Sequence, residues 1–119
     1  MANENNPSMK RINQFHDDHQ WRQFHNAKDL ALSVSIEAAE LLEIFQWTDP
    51  ESAVEKKRED IEEELADVLI YCYTLAEKLD MDIDEIIAKK LVKNLKKYGS
   101  LSNSVDEEFW EGIKQLIVA

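Results

Sequence analysis

The fold can be read from one segment of twelve residues, Ile61-Glu62-Glu63-Glu64-Leu65-Ala66-Asp67-Val68-Leu69-Ile70-Tyr71-Cys72. Apolar side chains recur along it at intervals of three and four residues, at Ile61, Leu65, Val68 and Cys72. That spacing places them on one face of an α-helix, which makes one turn in about 3.6 residues. The stretch therefore predicts a long amphipathic helix.

Four further segments have the same helical periodicity. The five predicted helices cover about 9–24, 28–47, 52–79, 82–98 and 104–116. We therefore predict an all-α helical bundle, in which the second and third helices are antiparallel because their connection is short. Residues 1–8 are polar and are predicted to be a flexible arm, and residues 9–119 are predicted to form a single domain.

Capping signals mark the start of two of these helices. A serine or aspartate followed by glutamate three residues later is typical of a capping box. Ser52 with Glu55 fits that pattern, and so does Asp82 with Glu85. The residue pairs therefore predict helix starts near 52 and 82.

The composition argues against several classes of protein. The 119 residues carry 25 acidic and 14 basic side chains, for a formal net charge of −11. A chain this acidic is a poor partner for nucleic-acid backbones or anionic membranes, so we expect neither. No apolar run approaches the roughly 20 residues of a membrane span, and no signal-peptide pattern is present, so we predict a cytoplasmic location. The single cysteine excludes an intrachain disulfide.

Two acidic pairs occupy matching positions on the second and third predicted helices. Glu37 and Glu40 lie about 60° and 120° from the apolar seam of their helix, and Glu64 and Asp67 have about the same offsets on theirs. Packed together, the helices would aim four carboxylates into one cleft. These carboxylates would repel one another unless a divalent cation such as Mg²⁺, which prefers oxygen ligands, lay between them. The alternative is that they are solvated charges on the flanks of the helices, and the spacing alone leaves both interpretations open.

Four motifs carry a resemblance to a known family. They are Trp21-Arg22-Gln23-Phe24-His25, then Glu37-Ala38-Ala39-Glu40-Leu41 leading to Phe45-Gln46-Trp47, then Glu63-Glu64-Leu65-Ala66-Asp67-Val68-Leu69-Ile70-Tyr71, and Lys93-Asn94-Leu95-Lys96-Lys97-Tyr98. With them the chain resembles the MazG-like nucleotide pyrophosphohydrolase superfamily, and most closely its short dCTP pyrophosphatase branch. Its signature, an ExxE followed by an ExxD, is filled by Glu37, Glu40, Glu64 and Asp67.

The resemblance implies a cofactor, a reaction and an assembly. The four signature acids are implied to hold Mg²⁺, with Mn²⁺ as the alternative ion, and to be the catalytic residues. A metal-activated water is implied to attack the α-phosphorus of a nucleoside triphosphate, such as dCTP or a related dNTP, and to release the monophosphate and pyrophosphate. The bundle is implied to complete its core as a homodimer or homotetramer, and a house-cleaning role in nucleotide metabolism fits this chemistry. The rival function is a non-enzymatic acidic helical interaction module.

Substrate contacts are expected from aromatic and from basic residues. The candidates for the nucleobase are Trp21, His25 and Trp47, because aromatic rings stack on bases; packing is the alternative role of the two tryptophans. The candidates for phosphate or sugar are Lys28, Lys90, Lys93, Asn94, Lys97 and Tyr98. The lysines in this set could also simply complement a helix dipole.

His16 and His19 have the spacing of a metal-binding pair, since they lie three residues apart on a predicted helix. No third nitrogen ligand is apparent in the sequence, whereas a zinc site needs at least three protein ligands. We therefore predict that both histidines lie at the surface or at an interface.

Overall fold

The computed structural model describes residues 2–98 and Gly112, and within these residues it contains helices and turns but no strand. The elements are α1 (Pro7–Asp18), a 3₁₀ turn (Arg22–Phe24), α2 (Ala27–Phe45), α3 (Pro50–Lys56), α4 (Arg58–Lys78) and α5 (Ile83–Tyr98). The all-α prediction is confirmed. The predicted helix over 104–116 lies outside the described residues, Gly112 excepted. None of the described helices is long and apolar enough to cross a lipid bilayer.

Side-chain caps fix the starts of the first two helices. The Asn6 side chain accepts a hydrogen bond from the Met9 backbone N–H at 3.0 Å, and Pro7 follows as the first helical residue, where its missing N–H costs nothing. Asn26 caps α2 in the same way, accepting from the Asp29 N–H at 2.8 Å. Helix α1 therefore begins two residues before the predicted start.

The predicted helix over 52–79 is interrupted. Lys57, at φ −121° and ψ 28°, leaves the helical region and divides it into α3 and α4. The capping box assigned to Ser52 was wrong, because Asp49 caps α3 and accepts from the Ser52 N–H at 3.2 Å. The cap at Asp82 is confirmed, since its Oδ1 accepts from the Glu85 N–H at 2.9 Å.

The first predicted helix was also too long. Helix α1 ends at Asp18, and Gln20 has φ 56°, a left-handed conformation that no α-helix contains. The chain turns back on itself there, so that the Trp21 N–H donates to the His16 carbonyl at 2.9 Å. Residues 22–24 then form only a short 3₁₀ turn.

The described chain falls into two compact units, residues 1–80 and residues 81–119. In the first unit α2 and α4 share the largest helix–helix contact, α1 packs against α4, and α3 contacts both α2 and α4. Its fully buried apolar residues include Met9 and Leu30. The second unit contains α5. The single domain over 9–119 and the flexible arm over 1–8 both stay predictions.

Candidate metal and nucleotide site

The packing of α2 against α4 brings acidic residues of the two helices together. Carboxylate oxygens of Glu37, Glu40 and Glu64 all lie within 4.8 Å of one another. Glu37 and Glu64 are half-buried, and Glu40 is exposed. Because each pair is separated by three residues, both of its members lie on the same side of their helix. We call Glu37, Glu40, Glu64 and Asp67 the acidic cluster.

Burial and mutual repulsion both disfavour the ionised form of the carboxylates in the acidic cluster. Burial raises the pKa of Glu37 to about 7, and the hydrogen bond to Glu40 and the charges of Glu40, Asp67 and Glu64 contribute further. Burial also raises the pKa of Glu64, with Glu40 as the next largest cause. Across the helix pair, the charge of Asp67 raises the pKa of Glu37 more than the charge of Glu64 does. The charge that raises the pKa of Glu64 most is that of Glu40. This crossed pattern is expected of antiparallel helices.

Two oxygens of the acidic cluster have no hydrogen-bond donor. Among the described residues, Oε2 of Glu37 and Oε2 of Glu64 are buried and unpartnered. An ionised carboxylate can only accept hydrogen bonds, so a buried carboxylate oxygen without a donor is unfavourable. A divalent cation would satisfy both oxygens and offset the repulsion, and a set of ligands made only of oxygen suits hard cations. The acidic cluster could therefore hold a divalent metal ion.

Beside the acidic cluster lies a cavity of about 480 Å³ with aromatic walls. We call it the aromatic cavity; its lining residues are Arg11, Ile12, Phe15, His16, Trp21, His25, Asp67, Ile70 and Tyr71. Phe15 and Trp21 meet edge to face with ring centroids 5.3 Å apart, and His16 and His25 do so at 4.8 Å. Asp67 belongs to this lining and also acts on the pKa values of Glu37 and Glu64. The aromatic cavity and the acidic cluster therefore adjoin at Asp67.

The turn after α1 is held in place by ion pairs. The guanidinium of Arg22 contacts the Asp17 carboxylate at 2.5 Å and at 3.3 Å, and it lies 3.9 Å from Glu77 on α4. The backbone bond from Trp21 to His16 closes the same turn. These contacts position Trp21 and His25 at the aromatic cavity.

A second, smaller pocket of about 230 Å³ borders the same histidines. We call it the polar pocket; it is lined by Asn13, His16, Arg22, His25, Thr74, Glu77 and Lys78. Burial lowers the pKa of His16, and His25 and Arg22 lower it further. Burial followed by the charge of Lys78 lowers the pKa of His25. Both lowered pKa values favour the neutral imidazole over the imidazolium.

The structure brings some of the predicted substrate residues together and leaves others apart. Trp21 and His25 both line the aromatic cavity, as their common role requires. Trp47 follows the end of α2 with φ 65° and is 97% exposed, and it is not among the lining residues. Lys28 is exposed in the first turn of α2. The remaining candidates belong to α5, in the second unit, and they are Lys90, Lys93, Asn94, Lys97 and Tyr98.

The prediction for His16 was wrong in its surface assignment, and that for His19 was right. His16 is only 7% exposed because α1 turns this residue toward α4, whereas His19 lies exposed at the end of α1. The sequence interpretation also missed Phe15 and Tyr71 as cavity residues. The helical spacing of Arg11, Ile12, Phe15 and His16 on α1 was the signal that could have found this face.

Comparisons with known proteins agree with the motifs. The MazG-like family profile matches residues 32–112. Mouse dCTP pyrophosphatase 1 is 33% identical in an alignment 101 positions long, which covers 77% of this chain and 59% of the mouse protein. Human dCTP pyrophosphatase 1 is 32% identical in an alignment 115 positions long, which covers 88% of this chain and 68% of the human protein. The chain thus spans less than two thirds of the length of the mouse relative.

A solved structure has a fold similar to that of this chain. The crystal structure of a pyrophosphatase from Archaeoglobus fulgidus matches with a TM-score of 0.73 and 40% sequence identity, over 77% of this chain and 89% of that one. The family profile covers more than half of the chain, and it includes the whole acidic cluster. The chain belongs to the MazG-like family.

Proposed function

We propose that the chain is a nucleoside triphosphate pyrophosphohydrolase that converts dCTP, or a related dNTP, to the monophosphate and pyrophosphate. One observation carries this proposal: Asp67 joins the acidic cluster to the aromatic cavity. A nucleotide has the same two parts, a polyanionic end that binds metal ions and a flat base that stacks on aromatic rings. The names of the mouse and human relatives support dCTP as the substrate.

Glu37, Glu40, Glu64 and Asp67 are the proposed ligands of Mg²⁺, with Mn²⁺ as the alternative ion. When bound, such an ion neutralises negative charge on phosphoryl oxygens and makes a bound water more acidic. The two oxygens without a donor, Oε2 of Glu37 and Oε2 of Glu64, support this assignment. The ion also explains how so acidic a chain would accept a polyanion.

The reaction forms one bond and breaks one bond at the α-phosphorus. The oxygen of water attacks the α-phosphorus, and the bond from that phosphorus to the α–β bridging oxygen breaks. Pyrophosphate leaves with the bonding electrons. The proton of the water passes to a carboxylate of the acidic cluster.

Trp21 and His25 are the proposed contacts for the base, since both line the aromatic cavity. Lys28, Trp47, Lys90, Lys93, Asn94, Lys97 and Tyr98 stay predicted contacts for the phosphates, the sugar or the base. We also propose a homodimer or homotetramer. Apolar residues of α2 and α4 are unusually exposed and support it, including Leu32 at 57%, Leu42 at 59% and Leu69 at 49%. The cytoplasmic location stays a prediction.

The proposed reaction is tested with a panel of nucleoside triphosphates in the presence of Mg²⁺, by measuring the release of pyrophosphate. We expect release from at least one dNTP, and a loss on the order of 100-fold in Glu40→Gln, which removes a metal ligand. Glu43→Gln, an exposed residue of the same helix, is the matched control and should keep full activity. Full activity in Glu40→Gln would contradict the assignment of the acidic cluster.

The rival function, an acidic interaction module, makes a different prediction. An ion that binds only the folded chain stabilises it by about 2.7 kcal/mol at 100 times its Kd. We therefore expect Mg²⁺ to raise Tm by on the order of 10 °C in the wild type and far less in Glu40→Gln. An interaction module without a metal site would show equal, small shifts in both proteins.

A further inference from the structure

We propose that His16 is a specificity-determining residue that reads the hydrogen-bonding edge of the nucleobase in the aromatic cavity. The inference rests on the proposed function, because it names how one part of that substrate is recognised. It adds a residue that lies outside the four family motifs and that the sequence analysis placed at the surface or at an interface.

The position of the His16 ring is the first argument. His16 is 7% exposed, and it lines both the aromatic cavity and the polar pocket. Its ring centroid lies 4.8 Å from that of His25 and 6.2 Å from that of Trp21. A base that stacks on Trp21 would therefore bring its edge within reach of the His16 ring.

The second argument is that the ring nitrogens of His16 have no hydrogen-bond partner among the described residues. His19 differs, because its Nδ1 lies 2.8 Å from the Phe15 carbonyl oxygen and the residue is exposed. Neither ring nitrogen is among the buried side-chain atoms without a partner in the described part of the chain, so both can be reached from a cavity. A donor or acceptor that faces a cavity is open to a ligand or to water. The two cavities that border His16 are where such a partner would lie.

The charge state of His16 is the third argument. Burial lowers its pKa, with His25 and Arg22 as further causes, while the Asp17 carboxylate opposes them. This lowered pKa favours the neutral imidazole, which has one N–H donor and one acceptor nitrogen. The edge of a nucleobase likewise presents donors and acceptors in a pattern that differs from base to base. A phosphate, which accepts only, would be matched better by a cation.

A purely structural role for the ring makes a different prediction. The contact that closes the turn after α1 uses the backbone carbonyl of His16, not its side chain. A phenylalanine in its place would keep an aromatic ring against Trp21 and His25 and would lose only the two nitrogens. Under a structural role, this change would leave the ranking of the bases as it is.

The test measures kcat/KM for the four dNTPs with His16→Phe, His16→Gln and the control His19→Phe. In His16→Phe we expect a loss on the order of 10-fold for the preferred base and a smaller loss for the others, because one hydrogen bond to the base is removed. His16→Gln, which keeps a donor and an acceptor, should restore part of the ranking. His19→Phe makes the same chemical change at a residue that lines neither cavity, keeps an aromatic ring beside Phe15 and Trp21, and should retain the wild-type ranking. An equal loss for all four bases in His16→Phe, or no loss, would overturn the proposal.

A binding measurement on the unaltered chain keeps the inference testable if His16→Phe does not fold. The chain has three histidines, so their ring ¹⁵N signals can be followed individually. Adding nucleoside monophosphates without metal should shift the ring nitrogens of His16 more than those of His19. Unshifted His16 signals at saturating nucleotide would overturn the proposal. Failure of the proposed function would appear separately, as a wild-type chain that releases pyrophosphate from none of the triphosphates.

Discussion

The acidic cluster and the aromatic cavity are neighbours, but they are built in opposite ways. The acidic cluster comes from the interiors of two regular helices, α2 and α4, and its carboxylates repel one another. The aromatic cavity comes from one face of α1, from the turn that follows it and from α4, and its rings are in mutual contact. A bound cation would therefore relieve the repulsion within the acidic cluster, whereas the rings of the aromatic cavity already stabilise one another by contact.

This contrast predicts different responses to substitution. The acidic cluster should respond to changes of charge at constant shape, because its oxygens are close and partly desolvated. The aromatic cavity should respond to changes of shape at constant charge, because stacking scales with the aromatic area presented. Asp67 is the exception, since it belongs to both regions.

The largest effect is expected at that shared residue. Asp67→Asn keeps the shape of the side chain and removes one negative charge from the acidic cluster. Losing even an outer-shell partner of a metal ligand costs about 10- to 100-fold, so we expect the rate of pyrophosphate release to fall by about 100-fold or more. Steady-state kinetics at saturating Mg²⁺ measure it.

Asp60→Asn makes the same chemical change at an exposed position of α4 and serves as the control. Its kinetic constants should match those of the wild type. If the two variants lose activity to the same extent, the loss is a general effect of removing an acidic charge from α4. Asp67 would then have no specific role where the acidic cluster and the aromatic cavity adjoin.

A tenfold effect on substrate binding is expected at Trp21. Trp21→Ala removes the stacking face from the aromatic cavity, which is worth about 1–3 kcal/mol per base. We expect KM to rise by about 10-fold or more while the shift of Tm produced by Mg²⁺ stays at its wild-type value. Initial-rate kinetics and a thermal-shift titration report the two quantities. A diminished Mg²⁺ response in this variant would show that the two regions are not separable.

The same contrast explains which parts could be predicted from the sequence. Helical phase fixes the direction of a side chain in the interior of a helix, so the spacing placed the two acidic pairs at matching positions on their helices. The family resemblance was needed to choose a shared metal site over two solvated flanks. The break at Lys57 could not be predicted, because no glycine or proline lies within residues 51–64. The left-handed Gln20, which ends the first helix, is likewise not a glycine. The burial of His16 depends on which face of α1 packs against α4, and that face is decided by tertiary packing rather than by the local sequence.

The smallest effect concerns stability in the absence of metal. The pKa of Glu37 is raised from 4.5 to about 7 in the folded chain, so the folded state binds more protons than the unfolded state between these values. This contribution to stability is fully present below about pH 4.5 and is lost as the pH rises through about 7. The lowered pKa values of His16 and His25 have the opposite effect on stability, which falls as the pH decreases. The reason is that, in the pH range where a free histidine is protonated, the unfolded chain binds more protons than the folded chain. The informative quantity is therefore the difference between wild type and Glu37→Gln.

Glutamine at position 37 is neutral at every pH and cannot gain charge as the pH rises. In metal-free buffer, we expect the Tm of Glu37→Gln minus that of the wild type to increase by a few degrees between pH 5 and pH 8. Glu43→Gln removes an exposed carboxylate from the same helix and should show no such trend. Saturating Mg²⁺ should reverse the sign at pH 8, because the wild type then gains the binding energy of the ion and the variant gains less. A difference in Tm that stays constant with pH would mean that neither burial nor the neighbouring carboxylates raise the pKa of Glu37 in solution, and the physical reason for placing a cation there would be lost.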